Sequence, residues 1–170
     1  KTKIYHEVTL YRGTRFRTMR RILVMGLSGN GKTWLASRMS KLLHIPHWDA
    51  DVVREIYKDW DFSEGGRIRQ AYRMNSLASK DSFSVSSFIC PTEEHRRIFD
   101  PEIIIWMDIN KESEYKDTDN IFEPPEHYDI RITKWITEDQ LSNCLEGINH
   151  GTMDIHNYLN ELIKRLAKLQ

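Results

Sequence analysis

The feature that most constrains the fold of this chain is a glycine-rich turn between an apolar run and a helical pattern. The run Ile22–Met25 is continuous and β-type, the turn Gly26–Thr33 has the sequence GLSGNGKT, and the helical pattern runs from about Lys32 to Leu43. A continuous apolar strand is typical of a strand buried on both faces of a parallel sheet. The order strand, turn, helix therefore predicts the start of a βαβ unit.

The turn matches the phosphate-binding pattern G-x-x-x-x-G-K-[S/T] in full, with a strand before it and a helix after it. Glycines let backbone N–H groups approach an anion without a Cβ in the way, and the helix dipole favours the same anion. Lys32 is expected to neutralise the β- and γ-phosphates, and the Thr33 hydroxyl to ligate Mg²⁺. We therefore predict that ATP with Mg²⁺ binds to Gly26, Ser28, Gly29, Asn30, Gly31, Lys32 and Thr33.

This pattern identifies a superfamily and not a reaction, because kinases, GTPases and ATPase motors all use it. From Arg20 onward, short apolar runs alternate with helical patterns, as in an α/β fold. We expect a P-loop NTPase-type parallel sheet flanked by helices on both faces, in a single domain over residues 19–170. The predicted later strands are His47–Asp49, Phe83–Phe88, Ile103–Asp108 and, nearer an edge, Asp129–Trp135; the predicted later helices cover 52–57, the stretch from the Ser63 cap to Ser79, and 155–169.

Composition narrows the function classes. The chain has 25 basic and 25 acidic residues among 170, so no excess charge suggests nucleic acid or an anionic membrane as a partner. Its apolar runs are too short to cross a bilayer, and no secretory signal opens the sequence. Cys90 and Cys144 are isolated and have no metal-site spacing. This pattern predicts reduced thiols in a cytoplasmic protein.

Residues 1–18 form a basic stretch with five Lys or Arg and a single acid, Glu7. Met19 stands directly before the first strand, so the stretch is either an extension that precedes the natural start or a hairpin that turns at Gly13. The sequence leaves both interpretations open.

A kinase needs a carboxylate that takes the acceptor proton and cations that hold the acceptor. The end of the second predicted strand supplies Asp49, Asp51 and Arg54. The carboxyl ends of parallel strands are where open α/β sheets place their ligands. Asp51 and Arg54 are three residues apart at a helix start and share a face. The spacing alone equally allows Asp51 to be a helix-capping acid with a surface ion pair to Arg54.

Together with the glycine-rich turn, these residues form an ordered set that resembles the adenylylsulfate (APS) kinase family from about Ile22 to Pro125. The set that carries the resemblance is the turn itself, Asp49-x-Asp51-x-Val53-Arg54, Phe62-Ser63-Glu64, Arg67, Ser87-Phe88-Ile89-Cys90-Pro91 and Glu123-Pro124-Pro125.

The resemblance implies that ATP phosphorylates the ribose 3′-hydroxyl of APS to give PAPS, a step of sulfate assimilation. It assigns catalysis to Lys32 and Asp51, with Asp51 as the catalytic acidic residue. Phe62 would stack on the APS adenine, while Arg54 and Arg67 would hold its phosphosulfate. The residues implied in acceptor binding are Asp49, Arg54, Phe62, Arg67, Gln70, Ser87, Phe88 and Ile89.

The chain departs from the family pattern at three places. Gln70 stands where the family usually has Asn, and Glu93 where it usually has Arg. Residues 109–122 replace a long basic lid and contain only Lys111 and Lys116 as cations. Since such a lid excludes water and stabilises the transferring phosphoryl group, three alternatives follow. A second copy in a homodimer supplies the missing charge, the acceptor is another anionic small molecule, or the chain is a nucleotide-binding sensor or subunit without transfer activity.

A GTPase is a further alternative. Asp108–Ser113 follows a strand and resembles the guanine-reading NKxD motif, but Ser113 occupies the place of its aspartate. This hypothesis predicts a preference for GTP over ATP.

Overall fold

Five strands in one parallel sheet form the centre of the molecule. The structure, a computed structural model, describes residues 20–148 and 154–170, so the predicted extension or hairpin at 1–18 lies outside the described residues. The strands are β1 Arg20–Met25, β2 His47–Asp49, β3 Phe83–Ser87, β4 Ile103–Met107 and β5 Ile130–Ile132. The helices of the described part are α1 Lys32–Leu43, α2 Ala50–Tyr57, α3 Glu64–Ala78, α4 Glu93–Phe99, α5 Lys116–Ile121, α6 Glu138–Leu145 and α7 Ile155–Ala167.

The strand order is β2-β3-β1-β4-β5, and every pair is parallel. The predicted parallel α/β sheet is confirmed, and β5 lies at an edge as its alternating sequence indicated. β1, which carries the glycine-rich turn, is central, between β3 and β4. This order brings the ends of β1, β2 and β3 together at one edge of the sheet.

Helices cover both faces of the sheet, as predicted. Alternate residues of β1 enter different cores, because successive side chains of a strand point to opposite faces. Ile22 and Val24 pack in the core formed with α1, α6 and α7. Leu23 and Met25 pack in the core formed with α2, α3 and α4. The unbroken apolar sequence of this strand is thus explained by burial on both sides.

Polar caps begin the two helices nearest the turn. The Asp49 carboxylate accepts hydrogen bonds from the N–H groups of Asp51 (3.0 Å) and Val52 (3.2 Å) and begins α2. Ser63 accepts from the Gly66 N–H at 3.2 Å and begins α3, as predicted. The alternative that Asp51 is the capping acid is wrong, because Asp49 fills that position.

Three helices were not predicted from the sequence: α4, α5 and α6. α6 begins with a capping box of Thr137 and Gln140, a sequence signal that was available. α5 is a single six-residue segment without an apolar stripe, so periodicity gives no signal there. None of the helices over 20–148 and 154–170 is long and apolar enough to cross a membrane.

Two adjacent glycines in the first turn of α3 allow a test of close packing. A Cβ at Gly66 would lie 2.2 Å from the Asp61 carbonyl oxygen, whereas a Cβ at Gly65 meets open space. Gly66→Ala should therefore lower the free energy of unfolding by about 2–4 kcal/mol. Gly65→Ala should either lower the free energy of unfolding by less than about 1 kcal/mol or raise it, because Ala favours helix. Urea denaturation measures both, and equal effects would contradict the packing described.

Candidate active site

A cavity of about 600 Å³ lies at the carboxyl ends of β1, β2 and β3. All but two of the predicted site residues line it. The predicted residues that line it are Ser28, Gly29, Gly31, Lys32, Thr33, Asp49, Asp51, Arg54, Phe62, Arg67, Gln70, Ser87, Phe88 and Ile89. The fold thus brings the glycine-rich turn and the predicted acceptor residues to one cavity.

The two exceptions, Gly26 and Asn30, belong to the turn but contact the end of β4 instead of lining the cavity. Gly26 has a φ of 142°, and a Cβ there would lie 2.2 Å from the Met107 carbonyl oxygen. The Asn30 side chain is fully buried, and its Oδ1 accepts from the N–H groups of Ile109 (3.1 Å) and Asn110 (2.6 Å). The Asn30 side chain therefore joins the turn to the end of β4, and only its backbone is left for a phosphate.

Lys32 is folded back into the turn. Its Nζ donates to the Leu27 carbonyl at 2.8 Å. Burial lowers the pKa of Lys32 to about 8, although the charges of Asp51 and Asp49 oppose this shift. A phosphate in the turn would add negative charge beside Nζ and raise this pKa again.

The Asp49 carboxylate joins the turn to two neighbouring strands. Its Oδ2 accepts from the Thr33 hydroxyl at 2.6 Å and from the Ser87 hydroxyl at 3.0 Å. Burial acts to raise the pKa of Asp49, but the hydrogen bonds from Thr33, Val52, Ser87 and Asp51 outweigh it and lower the pKa. Asp49 is therefore ionised at neutral pH.

The chemistry of these donors fits a Mg²⁺ ion carried by a nucleotide. The Thr33 hydroxyl and the Asp49 carboxylate are adjacent oxygen ligands, which is the kind that Mg²⁺ binds. The sequence predicted this role for Thr33 but placed Asp49 with the acceptor residues. The contact between Thr33 and Asp49 is what shows that Asp49 also faces the nucleotide side.

The buried Arg54 and Arg67, together with Phe62, form one wall of the cavity, the arginine wall. Arg54 is buried and its Nη1 donates to the carbonyls of Asp59 (3.0 Å) and Asp61 (3.1 Å), so the alternative of a surface ion pair with Asp51 is wrong. The guanidinium carbons of Arg54 and Arg67 lie 4.4 Å and 5.4 Å from the centroid of the Phe62 ring. Phe62 is 45% exposed, so the cavity contains a partly exposed aromatic side chain in contact with two cations.

The remaining predicted acceptor residues are held by the protein itself. The Gln70 amide donates to the Ala50 carbonyl at 3.1 Å and accepts from Arg73 at 2.9 Å. Phe88 packs edge-on against Phe99, with ring centroids 5.2 Å apart. Both residues line the cavity, but their contacts fix its shape.

An acidic residue of the segment 109–122 contacts the arginine wall. Arg67 Nη2 lies 3.3 Å from the Asp117 carboxylate and 2.9 Å from the Thr118 hydroxyl. Lys111 instead pairs with Asp108, and Lys116 with Glu112, both at 2.6 Å. Neither lysine lines the cavity, whereas Tyr115, Asp117 and Thr118 do. The segment thus contributes a carboxylate where the resemblance leads one to expect cations.

Several cavity residues were missed from the sequence. Trp60, His95, Tyr115, Asp117 and Thr118 all line it. They belong to loops and short helices without a motif, so spacing gave no signal.

Cys90, also at the cavity, is buried in the core, as predicted. Burial raises the pKa of its thiol far above the usual range, so Cys90 is not a reactive nucleophile.

Solved structures with this fold include small kinases. The APS kinase CysC of Mycobacterium tuberculosis in complex with AMPPNP and APS aligns with a TM-score of 0.59 and 18% identity, over 87% of this chain and 97% of that one. A gluconokinase from Sinorhizobium meliloti 1021 aligns at 0.56 and 12%, over 90% and 94%. A shikimate kinase from Aquifex aeolicus aligns at 0.52 and 16%, over 88% and 97%.

This chain has the fold of the small P-loop kinases. No protein-family model matches its sequence, and no curated protein is similar to it at the sequence level. At these identities the likeness is one of fold, so the reaction has to be argued from the cavity.

The lowered pKa of Lys32 predicts a pH dependence of nucleotide binding. At pH 7 about nine tenths of Lys32 is charged, whereas at pH 8.5 about three quarters of it is neutral. Binding of Mg·ADP, which favours the charged form, should then take up about 0.7 proton and should weaken by up to about tenfold per pH unit above pH 8. Calorimetry in buffers of different ionisation enthalpy measures the uptake.

Lys32→Arg is the control for this prediction, because Arg stays charged throughout that range and should take up no proton. An equal affinity of the unaltered protein at pH 7 and pH 9.5 would contradict the expected coupling.

Proposed function

We propose that residues 19–170 form a kinase domain that transfers the γ-phosphoryl group of Mg·ATP to a hydroxyl group of a small molecule. The supporting observation is the cavity itself, a space of about 600 Å³ that the phosphate-binding turn, Asp51, Arg54 and Arg67 all line. A volume of this order accommodates a small-molecule acceptor beside the triphosphate.

Asp51 is the proposed catalytic base. Its backbone N–H bonds to Asp49, but its carboxylate makes no hydrogen bond to the described residues. It is exposed to the cavity and close enough to Lys32 to raise that pKa. The carboxylate is therefore free to accept a proton, which is the property that a base for a hydroxyl nucleophile needs.

In the proposed reaction the acceptor hydroxyl oxygen forms a bond to the γ-phosphorus as the bond between that phosphorus and the β,γ-bridging oxygen breaks. The hydroxyl proton passes to Asp51, and ADP leaves. Lys32 and the N–H groups of the turn stabilise the charge on the phosphoryl oxygens. Mg²⁺, when bound with the nucleotide, neutralises charge on the phosphates, and Thr33 and Asp49 would hold it.

APS is the acceptor that we propose to test first, on the resemblance in the sequence and on the wall of Phe62, Arg54 and Arg67. A planar base could stack on the Phe62 ring, and the guanidinium groups suit a phosphosulfate. The ion pair between Asp117 and Arg67 favours another acceptor, because the Asp117 carboxylate already occupies this arginine. The same contact supports the second candidate function, a nucleotide-binding protein without transfer activity, since it places an acid where the acceptor anion would bind.

The transfer assay tests the function directly. The protein is incubated with γ-labelled ATP, Mg²⁺ and APS, then with other nucleotides and hydroxyl compounds, and with GTP in place of ATP. We expect labelled PAPS from ATP, no detectable transfer with Lys32→Ala, and a kcat at least about a hundredfold lower with Asp51→Asn. Asp139→Asn, on an exposed helix position away from the cavity, is the matched control and should leave transfer unaltered.

Nucleotide binding without transfer to any acceptor in the panel would refute the kinase proposal and favour the second candidate. Tighter binding of GTP than of ATP would favour the GTPase alternative.

The Arg67–Asp117 contact predicts how the charge of the acceptor affects the KM. Removing the charge with Asp117→Asn should lower the KM of an anionic acceptor such as APS by about three- to tenfold, because Arg67 no longer has a competing carboxylate. Glu114→Gln removes an acid from the same segment and is the control, since Glu114 does not line the cavity. A KM that rises in Asp117→Asn would mean that Asp117 binds the acceptor, and the proposal of an anionic acceptor would be wrong.

A further inference from the structure

The His95 ring is a buried polar group that the proposed reaction leaves without a role. It lies on α4, is 4% exposed and lines the cavity. Its Nε2 is buried without a hydrogen-bond partner in the described part of the chain. Buried polar atoms are nearly always paired, so an unpaired one beside a cavity is a candidate for a contact with a ligand.

The other ring nitrogen determines what Nε2 offers. Nδ1 lies 2.7 Å from the Thr92 hydroxyl, which also accepts from the backbone N–H of His95 as the cap of α4. If the Thr92 hydroxyl donates its hydrogen to Nδ1, then Nδ1 of the neutral ring is an acceptor and carries no proton. The ring proton then lies on Nε2. The protonated ring likewise carries a hydrogen on Nε2. In both of these forms Nε2 is a hydrogen-bond donor; only a neutral ring with its proton on Nδ1, donating to the Thr92 oxygen, would leave Nε2 an acceptor.

Arg67 lies close to His95 on the same wall. Burial and the charges of Arg67 and Arg96 lower the pKa of the His95 ring, whereas the charges of Glu94 and Glu123 oppose this shift. The Nε of Arg67 donates to the Phe62 carbonyl, and its Nη2 contacts Asp117 and Thr118. Nη1 of Arg67 makes no hydrogen bond to the described residues. The wall therefore holds two donor groups, His95 Nε2 and Arg67 Nη1, that have no hydrogen-bond partner among the described residues.

We infer that His95 binds the acceptor: its Nε2–H donates to an anionic oxygen of a phosphate, sulfate or carboxylate group that Nη1 of Arg67 also holds. This inference rests on the proposed function, because it names a contact in the same acceptor site. An anion fits better than a neutral hydroxyl, since the second donor is a buried guanidinium whose only acidic partner, among the described residues, is the exposed Asp117.

Two variants separate ligand binding from a structural role. His95→Phe keeps a ring but removes both nitrogens, whereas His95→Gln keeps an N–H donor of similar reach. With protein saturated by Mg·AMPPNP, calorimetry with APS should show binding about ten- to a hundredfold weaker in His95→Phe and less than about fivefold weaker in His95→Gln. The affinity for Mg·AMPPNP should stay the same in both. Unchanged APS affinity in His95→Phe, or equal losses in APS and nucleotide binding in both variants, would overturn the inference.

A second measurement does not depend on APS as the acceptor. Protein labelled with ¹⁵N-histidine is titrated with inorganic sulfate and then with phosphate, and the Nε2 resonance of His95 is assigned from its absence in His95→Gln. If APS does not bind to the unaltered protein although Mg·AMPPNP does, the proposed acceptor is wrong, and a shift of this resonance with sulfate or phosphate still supports His95 as an anion donor. No shift with APS, sulfate or phosphate overturns the inference.

Discussion

The Asp49 carboxylate is the interaction on which the arrangement of the site depends. Each oxygen has a separate task, since Oδ1 caps α2 and Oδ2 accepts from Thr33 of the turn and Ser87 at the end of β3. β2 contributes only three residues to the sheet, so this carboxylate, together with the pairing to β3, fixes its end. Because α2 begins there, the position of Asp51 and of the arginine wall relative to the turn follows from Asp49.

The same carboxylate couples the electrostatics of the two halves of the cavity. Asp49 and Asp51 are the charges that partly offset the burial of Lys32. Any ion that draws Thr33 and Asp49 to a nucleotide would also change the field at Lys32 and at the proposed base. A change of charge at the proposed phosphate site therefore also changes the electrostatic field at the proposed base, although the two belong to different elements.

Much of the fold and half of the site followed from residue patterns. The unbroken apolar run of β1 predicted a strand buried on both faces, and Ile22 and Leu23 pack in different cores as such a strand requires. The turn predicted the phosphate side because its glycines are a local requirement of the backbone. Asp49 shows the limit of this reasoning, since its spacing could not indicate that it would bond to Thr33, 16 residues earlier.

The acceptor side could not be predicted in the same way, because its residues are brought together by packing. Asp117 and Arg67 are 50 positions apart and meet only because α5 lies over the start of α3. His95 is at the cavity because α4 packs against α3, and no motif marks it.

The charge of this wall follows from that packing. Of the two lysines that the sequence offered as lid cations, Lys111 pairs with Asp108 at the end of β4 and Lys116 with Glu112 of its own segment, and Asp117 reaches Arg67. At the proposed acceptor site, an anionic acceptor would have to compete with Asp117, and the donors left for it would be those that Asp117 does not reach. Specificity at such a site is set as much by the acid that an acceptor displaces as by the arginine that it binds.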